Sequence, residues 1–183
     1  MAGNIRFTAA IACTLLLLPL VAACQSKTHH LQQHDQQPVV EALYTSQHCG
    51  RSQRTPSITW IDNVQQLVTS IKRIQSTALG GKPPTLPKLD FQHDIALLVE
   101  MGQRPTLGYQ ITPTGTDNLH ITSGGQAHLT LDWIQPSADA MVAQMSSSPC
   151  LLFKLKRGNY TSIQILDRQG MIKAGTLAAI NSD

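Results

Sequence analysis

The chain has 183 residues, of which 42% are hydrophobic and 14% are charged. Its 14 lysines and arginines outnumber its 11 aspartates and glutamates, which gives a formal net charge of +3 at pH 7, and no basic run stands out. Because nucleic-acid binding needs a clustered basic surface, this composition argues against nucleic acid as a partner.

The first predicted element is an apolar stretch that ends on a cysteine. Mostly apolar residues occupy positions 7–23 behind Arg6, and Cys24 closes the stretch. This pattern resembles the signal peptide and lipobox of bacterial lipoproteins, whose cysteine becomes the first mature residue and carries fatty acyl chains such as palmitate. The stretch is shorter than the ~20 residues of a typical spanning helix, so we expect a signal peptide over 1–23 and lipidation at Cys24. Two alternatives stay open: a cleaved signal followed by an ordinary cysteine, and a retained apolar anchor.

The lipoprotein resemblance also implies a location in the cell envelope. Gln25 follows the cysteine where inner-membrane lipoproteins carry aspartate, so the resemblance implies a lipid anchor on the periplasmic face of the outer membrane. Residues 24–48 are rich in Gln and His and poor in large apolar residues, which predicts a flexible tether. Docking of Val39, Val40, Leu43 and Tyr44 as a short first strand or helical turn stays open. A single domain is then expected over 49–183.

The tether carries several histidines, but we expect no metal site there. They lack the fixed spacing and the supporting carboxylates of a metal centre, and a solvated polar linker is the better interpretation. The histidines in question are His29, His30, His34 and His48.

One amphipathic helix is predicted after Trp60, over residues 63–76. Apolar side chains recur with helical spacing on one face, and Asp62 is the expected N-cap with Gln65 as its capping-box partner. Glycines and prolines over 80–87 then forbid regular structure.

The remainder alternates with period two or runs apolar in short pieces, which predicts about six strands. Short turn segments rich in glycine separate them, so we expect one antiparallel sheet with the helix packed on it, in an α+β domain rich in β structure. The expected strands lie at residues 95–101, 109–111, 119–121, 127–133, 151–155 and 163–166.

Two cysteines are left for the exported domain, because Cys13 lies in the signal and Cys24 takes the lipid. In an oxidising compartment Cys49 and Cys150 are expected to form a disulfide that closes a loop of about 100 residues. Two buried free thiols are the alternative.

The loop over residues 102–109 is the main candidate for a binding site. Its proline fixes one φ and its glycines permit a tight reversal, so we expect a stiff loop that displays Arg104, Thr106 and Leu107. The alternative is that these residues only close a hairpin, with the tyrosine filling the core. The candidate partner-binding residues are Gly102, Arg104, Pro105, Thr106, Leu107, Gly108 and Tyr109.

The same loop resembles the C-terminal domain of the PrcB family of protease-complex subunits. The resemblance runs over residues 90–167 and rests on 97–109 and on the Ser-Ser-Ser-Pro-Cys run at 146–150. The family pattern is G-x-R-P-T-G-G-Y, and Leu107 stands at its first paired glycine. The resemblance implies a non-catalytic subunit that assembles with and stabilises an exported protease.

A second resemblance supplies an alternative function. Residues 104–109 are similar to the Asn-Pro-Thr-Thr-Gly-Tyr loop that chagasin-type inhibitors insert into papain-like proteases. Only this one loop of the inhibitor matches, which makes protease inhibition the runner-up to assembly.

No catalytic signature accompanies these features. The sequence contains no Gly-x-Ser-x-Gly elbow, no His-Glu-x-x-His helix and no cysteine without another expected role. We therefore expect a protein that is not an enzyme, needs no cofactor, and works by binding another exported protein, for which a protease is the first candidate.

Overall fold

The computed structural model describes residues 40–76, 85–115 and 118–177, and this part of the chain forms nine strands and one helix. The predicted signal peptide, the lipidation site Cys24 and the tether before residue 40 lie outside the described residues. The elements are β1 (Glu41–Ser46), β2 (Ser57–Ile61), α1 (Val64–Gln75), β3 (Asp94–Glu100), β4 (Gln110–Pro113), β5 (Leu119–Ile121), β6 (Gln126–Ile134), β7 (Cys150–Lys156), β8 (Ser162–Leu166) and β9 (Ile172–Leu177).

The strands form two sheets, so the prediction of one six-stranded antiparallel sheet is wrong. The first sheet has the order β1-β7-β3-β2, and the second has the order β4-β6-β8-β9 with β5 also paired to β6. All six predicted strands occur, divided between the sheets, and β1, β2 and β9 are additional. The β-rich fold class is confirmed, and the described residues contain one helix.

One pair of strands, β6 and β8, is parallel. The chain leaves the second sheet after β6, runs through β7 in the first sheet, and returns as β8 in the direction of β6. A parallel pair needs such a long connection, and an excursion to another sheet supplies it here.

The two central strands of the first sheet, β3 and β7, are buried on both faces. All seven residues of β3 are buried, with Leu97 and Val99 in the core between the sheets and Ala96 and Leu98 in the core beneath α1. A strand covered on both sides needs apolar residues at successive positions, which explains the near-continuous apolar run of β3. The described domain is therefore a three-layer arrangement of helix, sheet and sheet.

Helix α1 begins one residue later than the sequence predicts. Asn63 is the N-cap and its side-chain oxygen accepts a hydrogen bond from the Gln66 N–H at 2.9 Å. The Gln66 side chain in turn accepts from the Asp62 N–H at 2.9 Å. The predicted cap pair of Asp62 and Gln65 is wrong, because Asp and Asn are nearly equal as N-caps and the pattern cannot separate adjacent ones.

Strand β1 lies within the stretch that the sequence assigns to the tether. It pairs antiparallel with β7, from Glu41 opposite Lys154 to Ser46 opposite Cys150. The alternative of a short first strand at Leu43 and Tyr44 is the one observed. Within the described residues, no helix has both the length and the apolar character needed to cross a membrane.

Candidate functional site

The loop over residues 102–109 connects the two sheets. It follows β3 of the first sheet and leads into β4 of the second, and these two strands are not paired with each other. The loop therefore does not close a hairpin, so the alternative that residues 102–109 only join two paired strands is wrong. The loop instead crosses one end of the two-sheet core.

Gly102 brings the start of the loop into backbone contact with residues 53–54. Its φ is +85°, and a Cβ at this position would lie 2.6 Å from the Arg54 carbonyl oxygen. The next residue, Gln103, donates its N–H to the Gln53 carbonyl oxygen at 2.9 Å. Only glycine satisfies both the angle and the close approach.

The middle of the loop is held by the segment before β7. The backbones of Arg104 and Ser147 exchange two hydrogen bonds, at 2.7 and 3.0 Å, and the Ser147 hydroxyl donates to the Thr106 carbonyl at 2.7 Å. The Leu107 N–H donates to the Ala143 carbonyl at 3.1 Å. The polar run that the sequence singled out ahead of Cys150 thus braces the loop directly.

The end of the loop turns at Gly108, whose φ is +92°. A Cβ there would lie 3.1 Å from Val142 and 3.3 Å from Pro136. Tyr109 packs half-buried against the core between the sheets, with the Arg104 guanidinium 5.9 Å from its ring centre.

The loop residues are less exposed than the sequence analysis expects. Arg104, Thr106 and Leu107, the three predicted to be displayed, are all half-buried, whereas Gln103 and Pro105 are exposed. These side chains are half-buried because residues 143–147 pack against the loop. No local pattern within the loop sequence predicts that contact.

The predicted disulfide between Cys49 and Cys150 is present in the structure, with the two Cα atoms 6.0 Å apart. Cys150 opens β7 immediately after the bracing segment. The Ser148 hydroxyl accepts hydrogen bonds from the Cys49 and Gly50 N–H groups at 2.9 and 3.0 Å. The disulfide therefore ties the residues after β1 to the base of the loop.

A buried carboxylate lies beside the disulfide. Glu100, opposite Cys150 on β3, is 1% exposed and forms a bidentate ion pair with Arg73 at 2.8 and 3.0 Å. Arg51 lies 3.8 Å from the same carboxylate. Sequence reasoning did not single out Glu100, although a lone charge at the end of an apolar strand is a recognisable signal.

The braced loop and its neighbours form one surface, here called the docking face: residues 53–54, 102–109 and 136–148. Met141 on it is fully exposed and Met145 is 45% exposed. A cavity of about 410 Å³ opens on this face, and its walls are Arg54, Gln103, Arg104, Pro105 and Ser146. Of these, Arg54 lies outside every motif that the sequence analysis named, and Gln103 and Ser146 lie within its motifs without having been named as binding residues.

The charges of the docking face are mostly positive. Arg54 and Arg104 line the cavity, and Asp139 is the one carboxylate of the three segments. The Ser137 side chain, by hydrogen bonding, lowers the pKa of the Asp139 carboxyl below its ordinary value. Among the described residues, no group of three or more His, Cys, Asp or Glu side chains could hold a metal ion.

The fold and the loop define a two-sheet domain with a braced surface at one end. Residues 95–156, from β3 through β7, match the family model described as PrcB C-terminal, so this segment is similar to the C-terminal region of that family. The predicted resemblance is confirmed for the segment that contains the loop and its brace. It supports an accessory role related to a protease complex. No curated protein and no solved structure significantly matches the chain.

Proposed function

We propose that the protein is a non-catalytic module of the cell envelope, anchored by lipid at Cys24, that docks an exported protease or its complex through the docking face. The observation that carries the proposal is the convergence of two separate segments, 53–54 and 136–148, on one loop inside the PrcB-like region. Because backbone hydrogen bonds hold the loop at Gln103, Arg104 and Leu107, it loses little conformational entropy on binding.

The side chains of the docking face suit protein recognition. Methionine adapts its shape to a partner, and arginine is enriched among residues that dominate binding energy. Met141 and Met145 are exposed in the segment that contacts the loop, and Arg104 is half-buried in the loop itself. A rigid backbone with adaptable side chains is expected of an assembly surface.

The experiment is photo-cross-linking in the native envelope from position 141. We expect it to capture a protease subunit, identified by mass spectrometry, and we expect Met141→Asp to abolish co-purification of that subunit. Met171→Asp is the matched control, since Met171 is 56% exposed and lies outside the docking face. Equal loss of the partner in both variants, or in neither, would contradict a specific docking face.

Inhibition of a papain-like protease stays a prediction, carried by the similarity of residues 104–109 to the inhibitor loop. The purified full chain is titrated against papain-like and subtilisin-like proteases. Loss of protease activity at stoichiometric amounts of the chain would favour inhibition over assembly.

A further inference from the structure

Two arginines of the docking face lack a carboxylate partner among the described residues. Arg54 has neither a hydrogen bond nor an ion pair there, and Arg104 is in contact with no acidic side chain. By contrast, Arg51 and Arg73 pair with Glu100, and Arg168 pairs with Asp132. Both arginines of the docking face line the same cavity, whereas Arg157, which also has no carboxylate partner in the described residues, donates to the carbonyl oxygens of Phe91 and Asp62.

Arg104 is positioned by its surroundings and yet keeps an unused donor. Its Nη2 donates to the Met101 carbonyl and its guanidinium lies 5.9 Å from the Tyr109 ring centre. Its Nε is buried and has no acceptor within the described residues. A buried polar group without a partner is costly and calls for an explanation, such as a ligand that completes its environment.

The rest of the cavity wall carries no negative charge. The Gln103 amide donates to the Ser146 hydroxyl at 2.9 Å, and this hydroxyl donates to the Arg104 carbonyl at 3.3 Å. The second N–H of the Gln103 amide stays available as a donor. Pro105 adds an apolar wall. A cavity with two guanidiniums and no acid among its lining residues is complementary to an anionic group.

We propose that this cavity binds the side-chain carboxylate of a glutamate or aspartate on the docked protein. The inference rests on the proposed function and names the chemistry that the partner presents. Terminal carboxylates are commonly captured by backbone N–H groups. Here the N–H groups of Gln103 and Arg104 already donate to Gln53 and Ser147, which leaves side-chain donors suited to an acidic side chain.

The test is a heteronuclear NMR titration of the full chain with N-acetyl-glutamate N-methylamide. We expect saturable shifts at residues 53–54, 103–104 and 146–147. The uncharged probe N-acetyl-glutamine N-methylamide should bind at least about tenfold more weakly, because bonds to charged groups are the stronger ones. Equal binding of the two probes, or no saturable shift at the cavity, overturns the proposal. Tighter binding of N-acetyl-alanine, which offers a terminal carboxylate, overturns the assignment to a side chain.

Variants locate the binding within the cavity. Arg54→Gln should weaken the glutamate probe by about tenfold, and it should not disturb folding because Arg54 is exposed and unpaired in the described structure. Lys72→Gln, which removes an exposed cation of α1, should leave binding unchanged. Equal weakening by both variants would show a nonspecific charge effect and overturn the proposal.

The two proposals fail separately. If cross-linking at position 141 captures a protease subunit while the glutamate probe does not bind, the cavity proposal alone is wrong. If the probe binds as expected and no protease subunit is captured, the docking function is wrong while the cavity remains a carboxylate site.

Discussion

At the scale of single residues, a comparison of two glycines with positive φ distinguishes the cost of backbone strain from the cost of a steric clash. Gly102 and Gly170 have similar φ values, +85° and +78°. A Cβ on Gly102 would meet backbone atoms of residues 53–54, whereas a Cβ on Gly170 would meet nothing within 4 Å. Any difference between alanine substitutions at the two sites therefore reports the approach of the loop to residues 53–54.

We expect Gly102→Ala to lower the free energy of unfolding by about 3 kcal/mol, since it adds a backbone clash to the strain of positive φ. Gly170→Ala should cost only about 1 kcal/mol, from strain alone. Urea unfolding of the full chain measures both. Equal costs would mean that residues 53–54 do not pack on the loop as described.

At the scale of elements, the sequence predicts which segments are helix or strand better than it predicts where they end or pair. Alternating apolar residues identify β4, β5, β6 and β8 of the second sheet. In a half-buried strand every second side chain faces the core, so apolar residues recur with a period of two. The half-buried β2 and the half-exposed β9 give too weak a contrast to be recognised. Alternation also shows which side of a strand faces inward without showing to which sheet the strand belongs.

The start of α1 offers a direct test of cap position. Asn63→Ala should lower the free energy of unfolding by about 1 kcal/mol, because it removes the acceptor for the Gln66 N–H. Asp62→Ala should cost clearly less. Chemical denaturation of the two variants compares them, and a larger loss for the Asp62 variant would restore the cap that the sequence predicts.

At the scale of the whole molecule, the disulfide follows from the sequence and the two-sheet arrangement does not. Counting cysteines leaves one pair once the predicted signal peptide and the predicted lipidation site are set aside, so elimination predicts the bond. The division into sheets depends on the crossings after β3, β6 and β7, and the glycine-containing segments at 102–109 and 157–159 look like hairpin turns. The candidate loop was likewise recognisable by its motif, whereas its brace and its cavity depend on contacts between residues far apart in the chain.

Replacing Cys49 and Cys150 together by alanine should lower the free energy of unfolding by about 2–5 kcal/mol, because the bond restricts a long loop in the unfolded chain. The free energy of unfolding of the unsubstituted chain, measured with and without reductant, should differ by a comparable amount. Alkylation of both cysteines in the denatured chain before any reduction would contradict the bond.

Membrane attachment is predicted to depend on one thiol. Cys24→Ala should move the protein from the membrane fraction to the soluble fraction, because each buried CH₂ of an acyl chain contributes ~0.8 kcal/mol. Cys13→Ala, inside the predicted signal peptide, is the matched control and should leave fractionation unchanged. Persistence of the Cys24 variant in membranes would contradict the lipid anchor.

The position of the disulfide has a mechanical consequence. Tension entering at residue 40 first loads β1 in shear against β7, and the cross-link between Cys49 and Cys150 lies directly beyond that strand. From Cys150 the backbone reaches the brace at Ser147 within a few bonds. A pull between the N-terminal side and a bound partner would therefore travel through β1 and the cross-link, and it would bypass the helix and most of the chain enclosed by the two cysteines.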